Sequence, residues 1–493
     1  MRSTLLAAAH ALFPVVNVLG VVVLLLAATL LVPLAFAFFG RDAALAAYDS
    51  ALLITAGTGA LMMLGTRRFK RELQPRDGFL LVTLVWTVLP AFAALPLLFH
   101  IKDLSFTDAY FEAMSGLTTT CASILSNLDA LPLSINVWRA LLPWLGGMGI
   151  LVLVVAILPL LGVGGSQIFK AESTGVMKET KLTPRIAETA KGLYTFYFGL
   201  SLACFFAYAA AGMSWADAFI HMCATVSLGG FSSHDASFAY FDSPLIESIA
   251  IVFMLASGFN FSIHFLAWRR RSLDAYLHDA EGKYFLGVLA AAIFIVTAFL
   301  WQHAIYPDWL SSLRFAAFNV VSIATTTGFS SADFGAWPMF APALMLLLAA
   351  FTTCAGSTGG GVKMVRAMVL FKQARREFVR ILHPRVINPI KIAGGVVENN
   401  IIYAVLAFML IYSATVVGLT LILLLSGLDI VTAASAIMAC INNTGPGLGQ
   451  VSPASNYASL TDFQTWVCTS AMLLGRLELL SVLVLFTAAY WRK

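Results

Sequence analysis

Four short stretches, spaced about a hundred residues apart, restrict the architecture of this chain more than any other feature. They are Thr118-Thr119-Thr120-Cys121-Ala122-Ser123, Ser227-Leu228-Gly229-Gly230-Phe231-Ser232, Thr325-Thr326-Thr327-Gly328-Phe329-Ser330 and Asn442-Asn443-Thr444-Gly445-Pro446-Gly447. Each opens on small or hydroxyl residues, reaches a glycine (cysteine in the first copy) and then turns away. Such a run lets the backbone extend and then take φ > 0, so that successive carbonyls can point toward one axis. Four of them around one axis are what a carbonyl-lined cation filter requires.

The solvent for that architecture is lipid. Hydrophobic residues make up 60% of the chain and charged residues only 11%, whereas soluble domains carry about a quarter charged. A net charge of +5 would speak for nucleic acid only on a soluble face, and here the basic residues lie in short segments between apolar spans. The six cysteines, Cys121, Cys204, Cys223, Cys354, Cys440 and Cys468, have no metal-ligand spacing and read as small interior residues.

The first apolar run, about Leu5 to Phe39, is too long for a signal peptide despite Ala35-Phe36-Ala37 near its end. A second span follows near Ala51 to Gly65. From there one plan repeats: apolar helix, short re-entrant pore helix, filter-like stretch, return helix, basic loop. The first copy uses Phe79 to His100, Asp108 to Leu117 and Trp138 to Leu161; the second uses Leu193 to Gly212, Trp215 to Val226 and Pro244 to Trp268. The third uses Tyr284 to Ile305, Leu310 to Ala324 and Trp337 to about Thr353; the fourth uses Asn400 to Ser426, Asp429 to Ile441 and Thr461 to Trp491. The expected units are a two-helix extension over 1–76 and repeats over 77–192, 193–283, 284–395 and 396–493. The fold class is an all-α polytopic membrane protein of about ten spans around one central pore.

With both termini inside, all but five of the 30 Lys and Arg residues fall on the cytoplasmic side. Arg41, Lys102, Arg139 and Arg314 remain outside, and Arg476 lies within a span. The opposite parity would scatter the basic residues, so the positive-inside bias supports this orientation. The filter stretches hold no Asp or Glu, which argues against a ring of carboxylates. One copy alone would fit an ordinary small-residue helix contact. Four copies, each behind a short amphipathic segment, do not.

On these motifs the chain resembles a TrkH-type member of the Trk/Ktr/HKT superfamily of potassium-uptake proteins over essentially its whole length, including the two extra N-terminal helices. The resemblance implies potassium translocation across a bacterial inner membrane, without enzymatic activity or a bound cofactor, through four non-identical units that each supply one filter glycine. Aligned on the following residue, the filter positions are Cys121, Gly230, Gly328 and Gly445, with Thr119, Thr120, Leu228, Gly229, Thr326, Thr327, Asn443 and Thr444 before them. Cys121 departs from the family pattern. In the plant relatives a serine at the first filter glycine accompanies sodium permeation, so a sodium-permeable or mixed cation pathway is the alternative.

Gly356-Ser357-Thr358-Gly359-Gly360-Gly361, followed by Lys363, interrupts the third return helix, since consecutive glycines each cost about 1 kcal/mol in a helix. The resemblance implies an intramembrane gating loop there, and an arginine at Arg476 that points into the pore beneath the filter. An intramembrane arginine is by default functional or paired, and Glu478 is the adjacent candidate partner. Asp108 and Asp217 open their short helices as N-terminal carboxylates. The basic segment Lys363 to Lys391 and the loop Lys170 to Lys191 are candidate docking surfaces. The resemblance implies a homodimer on a cytosolic, TrkA-like ring of nucleotide-binding subunits of the RCK/KTN type. The chain itself carries no Walker A motif and no GxGxxG followed by a soluble domain. A secondary carrier for an organic solute would show two broken-helix halves instead. An intramembrane enzyme would need a nucleophile or metal cluster, and His221, His264 and His303 are scattered.

Overall fold

The computed structural model describes residues 2–69, 71, 73–152, 186–392 and 394–491. These are helical apart from loops and one ribbon, in which Lys391–Ile392 pairs antiparallel with Gly395–Val396. Six helices are long and apolar enough to cross a bilayer, or eight when each sharply bent pair counts once. Of the other two expected spans, the first return helix is Leu133–Val152 among the described residues and the third, Phe340–Phe351, is short. The rest of the first return helix, expected to Leu161, lies outside the described residues. So does the loop Lys170 to Lys191, except for its last residues, which begin the helix Ile186–Ala210.

The N-terminal pair consists of Arg2–Thr29 with Leu31–Gly40, and Leu45–Thr66. A backbone turned wholly inward leaves a lipid-facing helix only side chains to bind with, and buried Asn17 spends its amide on Met63 O (2.9 Å) and Thr66 Oγ1 (3.0 Å). Tyr48 fastens this pair to the first repeat by donating to Ser134 O at 2.9 Å.

Four short helices lie inside the bundle: Phe106–Leu117, Trp215–Ser227, Trp309–Ala324 and Ile430–Ile441. Their starts share one device. Ser105, Ser214, Asp308 and Asp429 each accept at a side-chain oxygen from the amide three residues on, at 2.9–3.1 Å, which satisfies an otherwise orphaned N–H. Asp108 and Asp217 accept back from the capping serine hydroxyls. The third helix has 16 residues against 12 or 13 in the others, one extra turn. All four are too short to cross the hydrocarbon and end inside protein, where non-helical backbone is tolerated.

Two return helices break where the sequence pattern is continuous. Pro244–Gly258 and Phe261–Arg270 meet at 93°, and Asp462–Arg476 and Leu480–Phe486 at 103°. At the first break Asn260 caps the new helix through Ser262 N at 2.9 Å, and the freed Phe261 N donates to Gly356 O at 3.1 Å. At the second, Glu478 (φ 55°) and Leu479 (φ 42°) turn left-handed. The first break exchanges an intrahelical bond for one to a residue distant in sequence, and the second keeps its amides on local carbonyls while its Glu478 side chain reaches Arg366; apolar periodicity records neither.

Candidate functional site

Each short helix feeds its recurring stretch through the same bonds. Thr120 N and Cys121 N donate to Ser115 O, Gly229 N to Ala224 O, Thr327 N and Gly328 N to Ser322 O, and Thr444 N to Ala439 O, at 2.8–3.3 Å. With the amides committed to the helix, the carbonyls of the stretch are left for the opposite side. The backbone alternates in hand: φ is positive at Thr119 and Cys121, at Leu228, at Thr326 and Gly328, and at Asn443 and Gly445. Of the four aligned positions, Cys121, Gly328 and Gly445 take positive φ, whereas in the second copy it is Leu228 and not Gly230.

The stretches close on one another. A Cβ at Gly230 would lie 2.5 Å from Thr327 O, one at Gly328 2.2 Å from Thr444 O, and one at Gly445 2.6 Å from Thr120 O. Cys121 completes the circuit, its Sγ lying 3.1 Å from where a Cβ of Gly229 would be. The four copies therefore surround one axis in the order first, second, third, fourth, the three glycine positions Gly230, Gly328 and Gly445 each resting against a carbonyl of the next copy and Cys121 resting against Gly229. A side chain at Gly230, Gly328 or Gly445 has no room, because each would meet a backbone carbonyl oxygen; the Cys121 side chain lies against Gly229, where a Cβ would crowd its Sγ.

The second copy is distinct. Gly230 is not left-handed, and Gly229 O accepts from Phe231 N at 3.0 Å, a bond within the loop. Elsewhere around the ring, Thr119 Oγ1, Asn443 Oδ1 and Thr444 Oγ1 are buried and have no hydrogen-bond partner among the described residues. No charged residue lies in the four stretches. Uncharged oxygens of this kind can replace the hydration shell of a cation without holding it too tightly. The C-terminal ends of all four short helices lead into the ring, which adds partial negative charge there. At the opposite ends, hydrogen bonds from Ser311 hold Asp308 below the usual carboxylate range and those from Thr432 do the same for Asp429, so both stay ionised at helix N-termini.

Beneath the ring lies the glycine-rich segment between Phe340–Phe351 and Met364–Leu382. Gly360 N donates to Thr326 Oγ1 at 2.8 Å, and a Cβ at Gly360 would lie 2.0 Å from Asn442 O. Thr358 Oγ1 donates to Val226 O at 3.2 Å, and Ser357 and Thr353 bond Cys354 O and Gly360 O within the loop. Thus the loop presses on the inner ends of the second, third and fourth copies. Lys363 donates to Gly359 O, and Gly356 and Gly361 take positive φ at its two bends.

Arg476 is buried and donates to Thr358 O (3.0 Å) and Gly146 O (3.2 Å), bridging the loop and the first return helix. The adjacent Glu478 is not its partner: that carboxylate pairs with Arg366 at 2.5 Å. Arg139, read from sequence as an outer-surface residue, is fully buried. It bonds Glu112 at 2.8 Å, Ser123 Oγ at 3.1 Å and Ser232 O at 3.2 Å, stacks over Phe231, and so braces the first and second stretches from behind. Glu281 is a further side chain here that the sequence pattern does not single out. Its Oε1 accepts from Ala355 N (2.8 Å) and Val365 N (3.0 Å), the two ends of the loop. A carboxylate inside an apolar stretch was the available signal for Glu112 and Glu281. His221 and His264 have both ring nitrogens bonded within the fold, and no cluster of metal-ligating residues occurs among the described residues.

Comparison with known proteins places nearly the whole chain. Residues 47–493 match the family model TrkH, described as a cation transport protein. The chain is 46% identical over 480 residues to the Trk system potassium uptake protein TrkH of Halomonas elongata, covering 97% of this chain and 99% of the relative. It is 43% identical over the same length, with the same coverage, to the protein of that name from Escherichia coli strain K12. The crystal structure of the potassium transporter TrkH from Vibrio parahaemolyticus superposes with a TM-score of 0.90 at 40% identity, over 97% of this chain and 99% of that one.

Proposed function

The chain belongs to the TrkH family of cation transport proteins, and from that premise we propose that it is the potassium-translocating membrane subunit of a Trk system. It is a multi-pass membrane transport protein and not an enzyme. The observation that carries the proposal is the closed ring of four stretches, in which amides are spent on the short helices and, apart from Gly229 O and Gly445 O, which accept from Phe231 N and Tyr457 Oη, filter carbonyls are left for an ion. The filter comprises Thr119, Thr120 and Cys121; Leu228, Gly229 and Gly230; Thr326, Thr327 and Gly328; and Asn443, Thr444 and Gly445. An ion entering from outside exchanges water for these oxygens and is driven inward by about 2.3 kcal/mol per charge per 100 mV of inside-negative potential.

The loop Gly356 to Gly361, with Lys363, is the gate, and Arg476 is its electrostatic barrier. The contacts of Gly360 with the third and fourth stretches and of Arg476 with Thr358 support this assignment. The repeats over 77–192, 193–283, 284–395 and 396–493 act as the four walls of the pathway, with 1–76 outside them. Both termini are cytoplasmic in a bacterial inner membrane, and the chain works as a homodimer on a cytosolic nucleotide-binding ring. The basic helix Met364–Leu382, which leaves the gate directly, supports such a connection.

A second reading, a mixed potassium and sodium pathway, is favoured by the first two copies. Cys121 replaces a glycine, and Gly229 O is held by Phe231 N, so the ring departs from fourfold likeness on that side. Uptake of potassium, rubidium and sodium into proteoliposomes at an imposed inside-negative potential separates the readings. Strong preference for potassium and rubidium supports the first, comparable sodium uptake the second, and no uptake of any of them refutes both.

A further inference from the structure

We propose that the Arg366–Glu478 ion pair is the latch that keeps the gate closed, because it joins the segment leaving the loop to the segment that carries the barrier arginine. The proposal rests on the gate reading above. Arg366 stands in the first turn of Met364–Leu382, three residues beyond Lys363, and Glu478 stands two residues beyond Arg476. Their side chains are 5% and 22% exposed and meet at 2.5 Å. Arg366 also donates to Val362 O, the last residue of the loop before Lys363, and its guanidinium lies 4.2 Å from the ring centre of Phe408 in the fourth repeat.

The backbone on both sides of the pair is strained. Lys363 has φ 80°, Glu478 φ 55° and Leu479 φ 42°, three non-glycine residues in the left-handed region. Such positions persist only where surrounding contacts impose them. Glu281 meanwhile fixes Ala355 N and Val365 N with a single oxygen, so the two ends of the loop are fastened to the third repeat whatever the loop does. Arg476 donates to Thr358 O within the loop, so displacing the loop from the ring pulls on the fourth-repeat segment Arg476–Leu479, which Arg366–Glu478 ties to the loop's third-repeat base. Among the described residues, Arg366–Glu478 is the ion pair between that segment and that base, and it is partly buried, so its rupture is not a rearrangement that solvent makes free of cost. Both residues are positioning residues: they act through Val362 and Arg476 and touch no part of the filter.

The test is basal rubidium efflux from proteoliposomes holding the full-length chain without partner, together with its melting temperature in detergent. Arg366→Gln and Glu478→Gln are each expected to raise efflux per folded protein on the order of tenfold by favouring the open state. The exchange Arg366→Glu with Glu478→Arg is expected to return it toward native, since the coupling of a pair appears as non-additivity, and Arg366→Lys, which retains the charge, is expected to stay near native. Lower melting temperature with unchanged efflux per folded protein would overturn the latch in favour of a merely structural pair. Raised efflux in Arg366→Lys equal to that in Arg366→Gln would do the same, as would failure of both Gln variants to fold while Arg366→Lys behaves as native. Arg476→Ala, run alongside, separates the two layers of argument. If it raises efflux and the Gln variants do not, only the latch fails; if it leaves efflux unchanged, the gate reading itself fails.

Discussion

Replacing Gly328 with alanine tests the ring at its tightest point. The new methyl would stand 2.2 Å from Thr444 O, a backbone atom that cannot rotate aside, against about 3.5–4.0 Å for ordinary contact. Gly328 also has φ 91°, where an L-residue is strained by roughly 1–2 kcal/mol. Relief of the overlap by shifting the third and fourth stretches apart costs about 1–3 kcal/mol more. Part of this combined cost falls on folding and part on carbonyl spacing, and each 1.4 kcal/mol on the latter changes ion preference about tenfold. The expected result is a ~10- to 100-fold loss of potassium preference over sodium in proteoliposome uptake, normalised to folded protein. Gly418→Ala is the control, since that helical glycine has no atom within 4 Å of a built Cβ; there alanine should leave uptake unchanged and favour the helix by about 1 kcal/mol. Native selectivity in Gly328→Ala at normal yield would refute the ring geometry, because no backbone could keep its carbonyl spacing around that methyl.

Cys121→Gly should relieve roughly 1–2 kcal/mol of left-handed strain and raise the potassium-to-sodium uptake ratio; an unchanged ratio would show that the first copy is tolerated as it stands. Glu112→Gln leaves Arg139 buried and uncompensated, and should lower stability by about 3–5 kcal/mol, read as a large fall in melting temperature in detergent. A variant melting like the native chain would mean that Ser123 and Ser232 alone satisfy the guanidinium.

The part of this architecture that can be read along the chain is the part written in short-range chemistry. The carboxylates Asp108 and Asp217 at their helix starts, the apolar helices, and the runs ending at Cys121, Gly230, Gly328 and Gly445 each depend on residues a few positions apart. A carboxylate at a helix start, a left-handed glycine and an apolar face are local properties, so the four-part plan was legible without coordinates. The interruption at Gly356 to Gly361 was legible for the same reason, since glycine opposes helix wherever it stands.

The tertiary structure alone decided who meets whom. Glu478 lies beside Arg476 in sequence, yet its partner is Arg366, 112 residues away, and Arg476 spends its donors on Thr358 O and Gly146 O. Arg139 is polar and close to a predicted outer loop, but Glu112 and two serines draw it behind the first and second stretches. The return helix over 244–268 has unbroken apolar character and still bends at Asn260, where Phe261 N gains Gly356 O. In each case a buried charge or amide must find a partner when water is removed, and which partner lies within reach is fixed by the packing of distant segments.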